Sequence, residues 1–361
     1  MKAKSFLSGL LVICVAVVAG CCAAVCEKKS GETASAKVEE KKPIKIGISI
    51  WQGYAHAFIA QEKGFFQKNN VSVELVFKKG VAESIELYKS GEVDGVFNVF
   101  ADMILINSKG IPTKVVYVPS YSESGDVIIG RPEFNSLADL KGKTVSFQGV
   151  NTFSNLFVLK ALEKAEIKES DVQFQDVPGT DVLNDMEAGK IDGGHTWEPV
   201  TSQALNKGYK ILCKASDTPG VITDMLAFHA KIIEERPDDI QQIVKSLLEA
   251  KDFINSNKDE AIDIDFINSN KDEAIDIMAK AEGLDRAEIA RSLKSDVHML
   301  DLNENIEAMK QSENIASLYA SLKVITDFYV KRGLISEAQV TEGIIEPKFI
   351  EGIKSSQTSQ P

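Results

Sequence analysis

Two successive series of strand and helix signals constrain this chain more than any other feature. In the first, Ile44, Ile46, Ile48 and Ile50 alternate with small or polar residues, the period-two signature of a strand. The loop Trp51-Gln52-Gly53-Tyr54 leads into a helical stretch over 55–68, with Gly64 near its last turns. Further strands are expected at 71–77, 93–99 and 113–118, with helices at 81–90 and 102–108 between them. The second series follows 136–143, with strands at 144–148, 172–177 and 191–197 and helices at 154–166 and 181–188. Strands separated by helices need crossover connections, so each series predicts a mainly parallel sheet covered by helices. A local echo links them. Ser90-Gly91-Glu92-Val93-Asp94-Gly95 parallels Ala188-Gly189-Lys190-Ile191-Asp192-Gly193, and in both a Gly closes a helix just before a strand. The expected class is α/β with two similar lobes, and 361 residues is a length for two domains. From 232 onward the pattern is almost wholly helical.

The N-terminus points to a compartment. Lys2 and Lys4 precede an apolar run from Phe6 to Gly20, short for a membrane span and right for the core of a signal peptide. It ends in Val18-Ala19-Gly20-Cys21, small residues before a Cys, as a lipoprotein signal peptidase requires. Residues 1–20 are therefore expected to be removed and Cys21 to be lipidated; the alternative is a plain secretory signal with an incidental Cys. Cys22 and Cys26 are placed to carry further acyl chains or a disulfide. Residues 21–42 then form the anchor and a disordered tether, because 27–42 are polar and charged with no large apolar group. The body is expected outside the cytoplasm of a bacterial cell, held to a membrane by lipid. Cys213 is the only Cys left in that body, so no internal disulfide framework is expected. The net charge of -12 disfavours nucleic acid, which needs a basic face.

Residues 252–264 recur identically as 265–277. Two copies cannot stack a core as a solenoid does. Thirteen residues at about 100° each leave a helix roughly 220° out of phase, so a helix downstream would present the wrong face. One copy is expected on the surface, or the repeat is a recent duplication, and no function is assigned to it.

Ligands in open α/β sheets sit at the carboxyl ends of strands and at helix N-termini. The residues gathered there are Trp51, Gln52 and Tyr54; Asn98, Phe100 and Asp102; Asp126; Asn151, Thr152 and Ser154; Trp197 and Glu198; and Asp224. The only two Trp residues fall one in each series. Aromatic walls with a few hydrogen-bonding groups describe a small-molecule cleft. The competing reading makes Trp51 and Trp197 core residues and the acids helix or turn caps.

The run IKIGISIWQGYAHAFIAQEKGFFQKNNVSVELV resembles the opening of substrate-binding proteins of the nitrate, sulfonate and taurine ABC importers, whose superfamily includes the thiamine-pyrimidine binding proteins. SLADLKGKTVSF, GHTWEPVTSQAL and SDTPGVITDML resemble that family's second-lobe and hinge segments, so the resemblance covers about residues 43–285. It implies a type II periplasmic-binding-protein-like fold, two α/β lobes joined by a hinge, with crossovers near 127–131 and 221–229. Lobe 1 is then 43–126, lobe 2 is 127–222, and 223–353 return to lobe 1 with C-terminal helices before a disordered tail at 354–361. The implied partners are a small-molecule ligand and the permease and ATPase subunits of an importer, with the receptor a monomer. The departures from the family pattern are the duplication and His56, where relatives often carry Pro.

Enzymatic readings have less support. The four His lack a metal-ligand spacing, no nucleophile elbow or phosphate loop is present, and no cofactor or metal is expected. His195 near Glu198 imitates an acid–base pair, but a His ending a buried strand is more often structural. The Cys-rich iron motif of the superfamily's pyrimidine-producing enzymes is absent. Two ligand classes stay open. Asp126, Glu198 and Asp224 suit N–H donors such as an aminopyrimidine stacked among Trp51, Tyr54 and Trp197. A sulfonate or other oxyanion would instead use backbone N–H groups with Thr152 and Ser154, the candidate loops holding no Lys or Arg and Arg131 lying near the hinge. The expected function is solute capture for an ABC importer, with a solute sensor for a signalling receptor as the alternative.

Overall fold

The computed structural model describes residues 41–49, 51–78, 80–255, 275–280, 283, 285–287, 289–290, 296–336 and 342–358. Residues 1–20 (expected as a signal peptide), Cys21, most of the expected tether, Ile50 and most of the duplicated segment lie outside the described residues.

The first lobe is built on β1 (Ile44–Ser49), β2 (Val73–Lys78), β3 (Gly95–Val99) and β4 (Thr113–Tyr117). Ile44, Ile46 and Ile48 are buried, each contributing about 1.5–3 kcal/mol, which fixes β1 in the interior of its sheet. Helices α1 (Ala55–Glu62), α2 (Phe65–Lys68), α3 (Val81–Ser90) and α4 (Phe100–Ser108) connect these strands. The single helix expected over 55–68 is two, because Gly64 adopts a left-handed conformation (φ 69°) that ends α1 and starts α2.

The chain then forms the short β5 (Ser120–Ser122) and enters the second lobe through β6 (Val127–Gly130). That lobe holds β7 (Thr144–Phe147), α5 (Phe153–Lys164), β8 (Gln173–Asp176), α6 (Val182–Glu187), β9 (Gly193–Thr196), α7 (Val200–Asn206) and β10 (Lys210–Lys214). β11 (Asp224–His229) returns to the first lobe, followed by α8 (Ala230–Glu235) and α9 (Pro237–Asn255).

The two five-stranded sheets have the orders β2-β1-β3-β11-β4 and β10-β6-β9-β7-β8. They are mixed rather than mainly parallel. β11 runs antiparallel to both β3 and β4, and β6 antiparallel to both β9 and β10. These two strands carry the chain between sheets, and inserting each beside strands of the opposite direction needs no helical crossover. The C-terminal region is not purely helical either: β12 (Val297–Met299) pairs antiparallel with β5. Of the residues expected as a tail, 354–358 extend the last helix, Lys348–Thr358. Phe253 from the first copy of the repeat packs edge-on against Phe65, and Ile275 from the second copy is buried. Among the described residues no helix is long and apolar enough to cross a membrane.

Candidate functional site

A small cavity, about 30 Å³, lies between the two sheets, at the carboxyl ends of β1, β3 and β9. Its walls come from Ser49, Trp51, Tyr54, Gly80, Val81, Val99 and Asp224 of the first lobe, from Phe153 and Trp197 of the second, and from Asp126 and Ile222 at the crossings. Among the described residues no Lys or Arg lines it.

The first-lobe wall is a closed hydrogen-bonded unit. Trp51 follows β1 in extended backbone and turns its indole so that Nε1–H donates to Asp224 Oδ2 at 2.8 Å. Ser120 Oγ donates to the same oxygen at 2.5 Å, and Tyr54 lines the cavity with Trp51 and Asp224. Burial pushes Asp224 up to about 7; the Ser120 and Trp51 donors oppose this and the negative charge of Asp126 adds to it. Gly53 lies under this unit: a Cβ there would collide with Ser120 Oγ, Trp51 Nε1 and Asp224 Oδ2.

The second-lobe wall is looser. Trp197 is half-buried and leans on His195, ring centroids 5.5 Å apart, with Gly179 directly beneath it. His195, on β9, is buried. Its Nε2 lies 2.9 Å from Asp126 Oδ1, and its Nδ1 lies 2.7 Å from Ser154 Oγ. Ser154 Oγ also accepts the Gln148 N–H at 2.8 Å.

One hydrogen bond joins the lobes beside the cavity. The Phe153 N–H, at the start of α5, donates to Asp102 Oδ1 of α4 at 2.7 Å. Asp102 is buried, and its Oδ2 has no hydrogen-bond partner. Burial pushes this carboxyl up to about 7 against the lowering effect of the Phe153 donor.

Of the candidate residues, the structure brings Trp51, Tyr54, Asp126, Trp197 and Asp224 together around the cavity. The others lie elsewhere. Gln52 is buried in the short turn after Trp51. The Asn98 side chain accepts the Val99 N–H at 2.6 Å, and Phe100 is buried at the start of α4. Asn151 holds a left-handed turn (φ 64°), and Thr152 caps α5 and donates to the Gln148 carbonyl at 2.6 Å. Glu198 accepts from the Ser202 N–H at 3.1 Å and the Ser202 hydroxyl at 2.9 Å, a helix-start role. Arg131 is paired with Asp192 at 2.7 Å. His56 sits in the core beside the Tyr117 hydroxyl, and burial lowers it to about 3. Asp102 carries the bridge, and Ser120 carries the wall without having been singled out. Its partner Asp224 lies far along the chain, so no local pattern marks it. Among the described residues no group of three or more His, Cys, Asp or Glu is placed to hold a metal ion.

Comparison with known proteins agrees with this architecture. The chain is 22% identical over 240 residues to the formylaminopyrimidine-binding protein of Halalkalibacterium halodurans, covering 63% of this chain and 70% of that one. Its fold matches the aliphatic sulphonate-binding protein SsuA of Escherichia coli at a TM-score of 0.66 and 20% identity, over 84% of this chain and 96% of SsuA. It matches the nitrate-binding protein NrtA of Synechocystis PCC 6803 at a TM-score of 0.68 and 13% identity, over 89% and 90% of the two chains. These likenesses establish the two-lobed periplasmic-binding-protein fold. The same fold also carries the desulfurization enzyme DSZB, with a TM-score of 0.61 and 11% identity over 87% of this chain and 99% of that one. The family described as NMT1/THI5 like matches residues 51–261, more than half of the sequence, and the chain belongs to that family.

Proposed function

We propose that this protein is the extracytoplasmic solute receptor of an ABC importer, anchored through lipid on Cys21, and that its ligand is a small aromatic heterocycle bearing N–H donors. One observation carries the ligand class: the cavity presents four aromatic rings and two carboxylates, with no Lys or Arg among the described residues of its lining. A carboxylate accepts hydrogen bonds and repels an anion, while the rings provide stacking surfaces. The formylaminopyrimidine-binding relative supports this class. The oxyanion reading draws on the sulphonate- and nitrate-binding neighbours. It loses its anchor in this chain, because at the start of α5 the Phe153 N–H is taken by Asp102 and the Asn155 N–H faces the Thr152 side chain.

Capture follows from differential affinity. The ligand touches both lobes only when they are together, so it shifts an open–closed equilibrium toward the closed form, which a permease then receives. The reading includes no turnover, since Ser154 and His195, the pair among the described residues that resembles a nucleophile and its base, are fully buried and do not line the cavity. The test is a thermal-shift titration of the protein with formylaminopyrimidine, ethanesulfonate and nitrate. At a thousand times the dissociation constant the true ligand stabilises by about 4 kcal/mol. A shift with the pyrimidine alone, recovered unchanged afterwards, is the expected result; a shift with ethanesulfonate or nitrate alone overturns the ligand class. A permease and an ATPase encoded beside this gene would favour import over sensing for a signalling receptor.

A further inference from the structure

The two cavity carboxylates differ in what they have left to offer. Asp224 is engaged by Trp51 and Ser120 within its own lobe. Asp126 receives a single side-chain donor, His195, on Oδ1, and lines the cavity. We infer that Asp126 is the residue that accepts the ligand's N–H, and that Ser154 and His195 are positioning residues whose hydrogens, donated in one direction, fix one oxygen of Asp126 and leave the other for the ligand. This rests on the reading of the ligand as an N–H donor.

The direction follows from donor inventory. The Gln148 backbone N–H can only donate, so Ser154 Oγ accepts it. The Ser154 hydroxyl then has its proton for its other neighbour, His195 Nδ1. A carboxylate can only accept, so His195 Nε2 carries the N–H that reaches Asp126. The ring is held in this orientation by the edges of Phe153 and Phe157, at centroid distances of 5.7 and 5.1 Å, and by Trp197. The Asp126 backbone is fixed as well: its N–H donates to Ser122 Oγ at 3.1 Å and its carbonyl accepts from Ala215 at 2.9 Å. Although the three residues resemble a catalytic triad, serine meets Nδ1 and aspartate meets Nε2, the reverse of the hydrolytic arrangement, and Ser154 is fully enclosed.

Two measurements on the full chain test this. Nitrogen-15 spectra of the histidine rings read the His195 tautomer without any ligand. Formylaminopyrimidine titrations compare wild type with Asp126→Asn and Ser154→Ala. The expected results are an Nε2–H tautomer in the wild type, a tenfold to hundredfold loss of affinity in Asp126→Asn, and a loss of about two- to tenfold in Ser154→Ala with a mixed tautomer. A proton on Nδ1 in the wild type overturns the donor chain. Unchanged affinity in Asp126→Asn overturns the acceptor role alone. A wild type that takes ethanesulfonate and leaves the pyrimidine overturns the N–H-donor reading, and the acceptor role with it.

Discussion

The two tryptophans face one cavity from lobes that treat them differently. Trp51 is buried, its N–H given to Asp224, with Gly53 admitting the close approach. Trp197 is half-buried, and its indole N–H makes no hydrogen bond to any described residue. One wall is set before a ligand arrives; the other keeps freedom to adjust. In a receptor that closes on its ligand, a fixed first wall lowers the ordering cost of binding, and an adjustable second wall lets closure follow contact.

The sharpest way to break this contrast is truncation. Trp51→Ala is expected to cost about 3–5 kcal/mol of folding stability, because it opens a cavity and removes one of the two donors to Asp224 Oδ2. Trp197→Ala is expected to cost no more than about 1–2 kcal/mol while still abolishing tight binding. Denaturant unfolding of the two variants decides, and equal costs would erase the distinction.

The glycines beneath the rings give a finer comparison. Gly53→Ala drives a methyl into Ser120, Trp51 and Asp224 together and is expected to destabilise by about 1–3 kcal/mol. In Gly179→Ala the methyl meets only the Trp197 ring, which has room to move. That variant is expected to keep its melting temperature within a few degrees and to lose ligand affinity.

Proton linkage is the third test. Asp102 and Asp224 are both held near 7 by burial, well above the usual aspartate value near 4. The folded chain therefore keeps protons that the unfolded chain has released over that range. Stability from these groups is greatest below the unfolded value and falls as pH rises toward 7, by up to about 1.4 kcal/mol per pH unit for each. Melting curves from pH 4 to 8 are expected to show this fall, with a flatter slope in Asp102→Asn and in Asp224→Asn. Unchanged slopes would mean that water reaches both carboxyls.

Much of the architecture was legible because it is written in local periodicity. The isoleucine alternation of β1 and the glycines closing helices before β3 and β9 are local signals, and the strands and helices they imply are present. The antiparallel β6 and β11 were not legible as such, because strand direction depends on partners far away along the chain. The site divides the same way. Both tryptophans follow strands and were visible as candidates. Thr152 and Glu198 looked like ligand residues because a helix-start residue and a binding residue share one chemistry. Asp102 was visible as a residue following a strand, but its bridging role was not, because its partner, the Phe153 amide, belongs to the other lobe.

That bridge has a consequence for the heat of binding. Asp102 lies between α4 and α5, so parting the lobes returns its carboxylate to water and closing them removes it again. A carboxyl whose affinity for protons rises on closure draws them from the medium near neutrality. Calorimetric titrations in buffers of different ionisation enthalpy are therefore expected to give different apparent heats for the same ligand, with the buffer dependence reduced in Asp102→Asn.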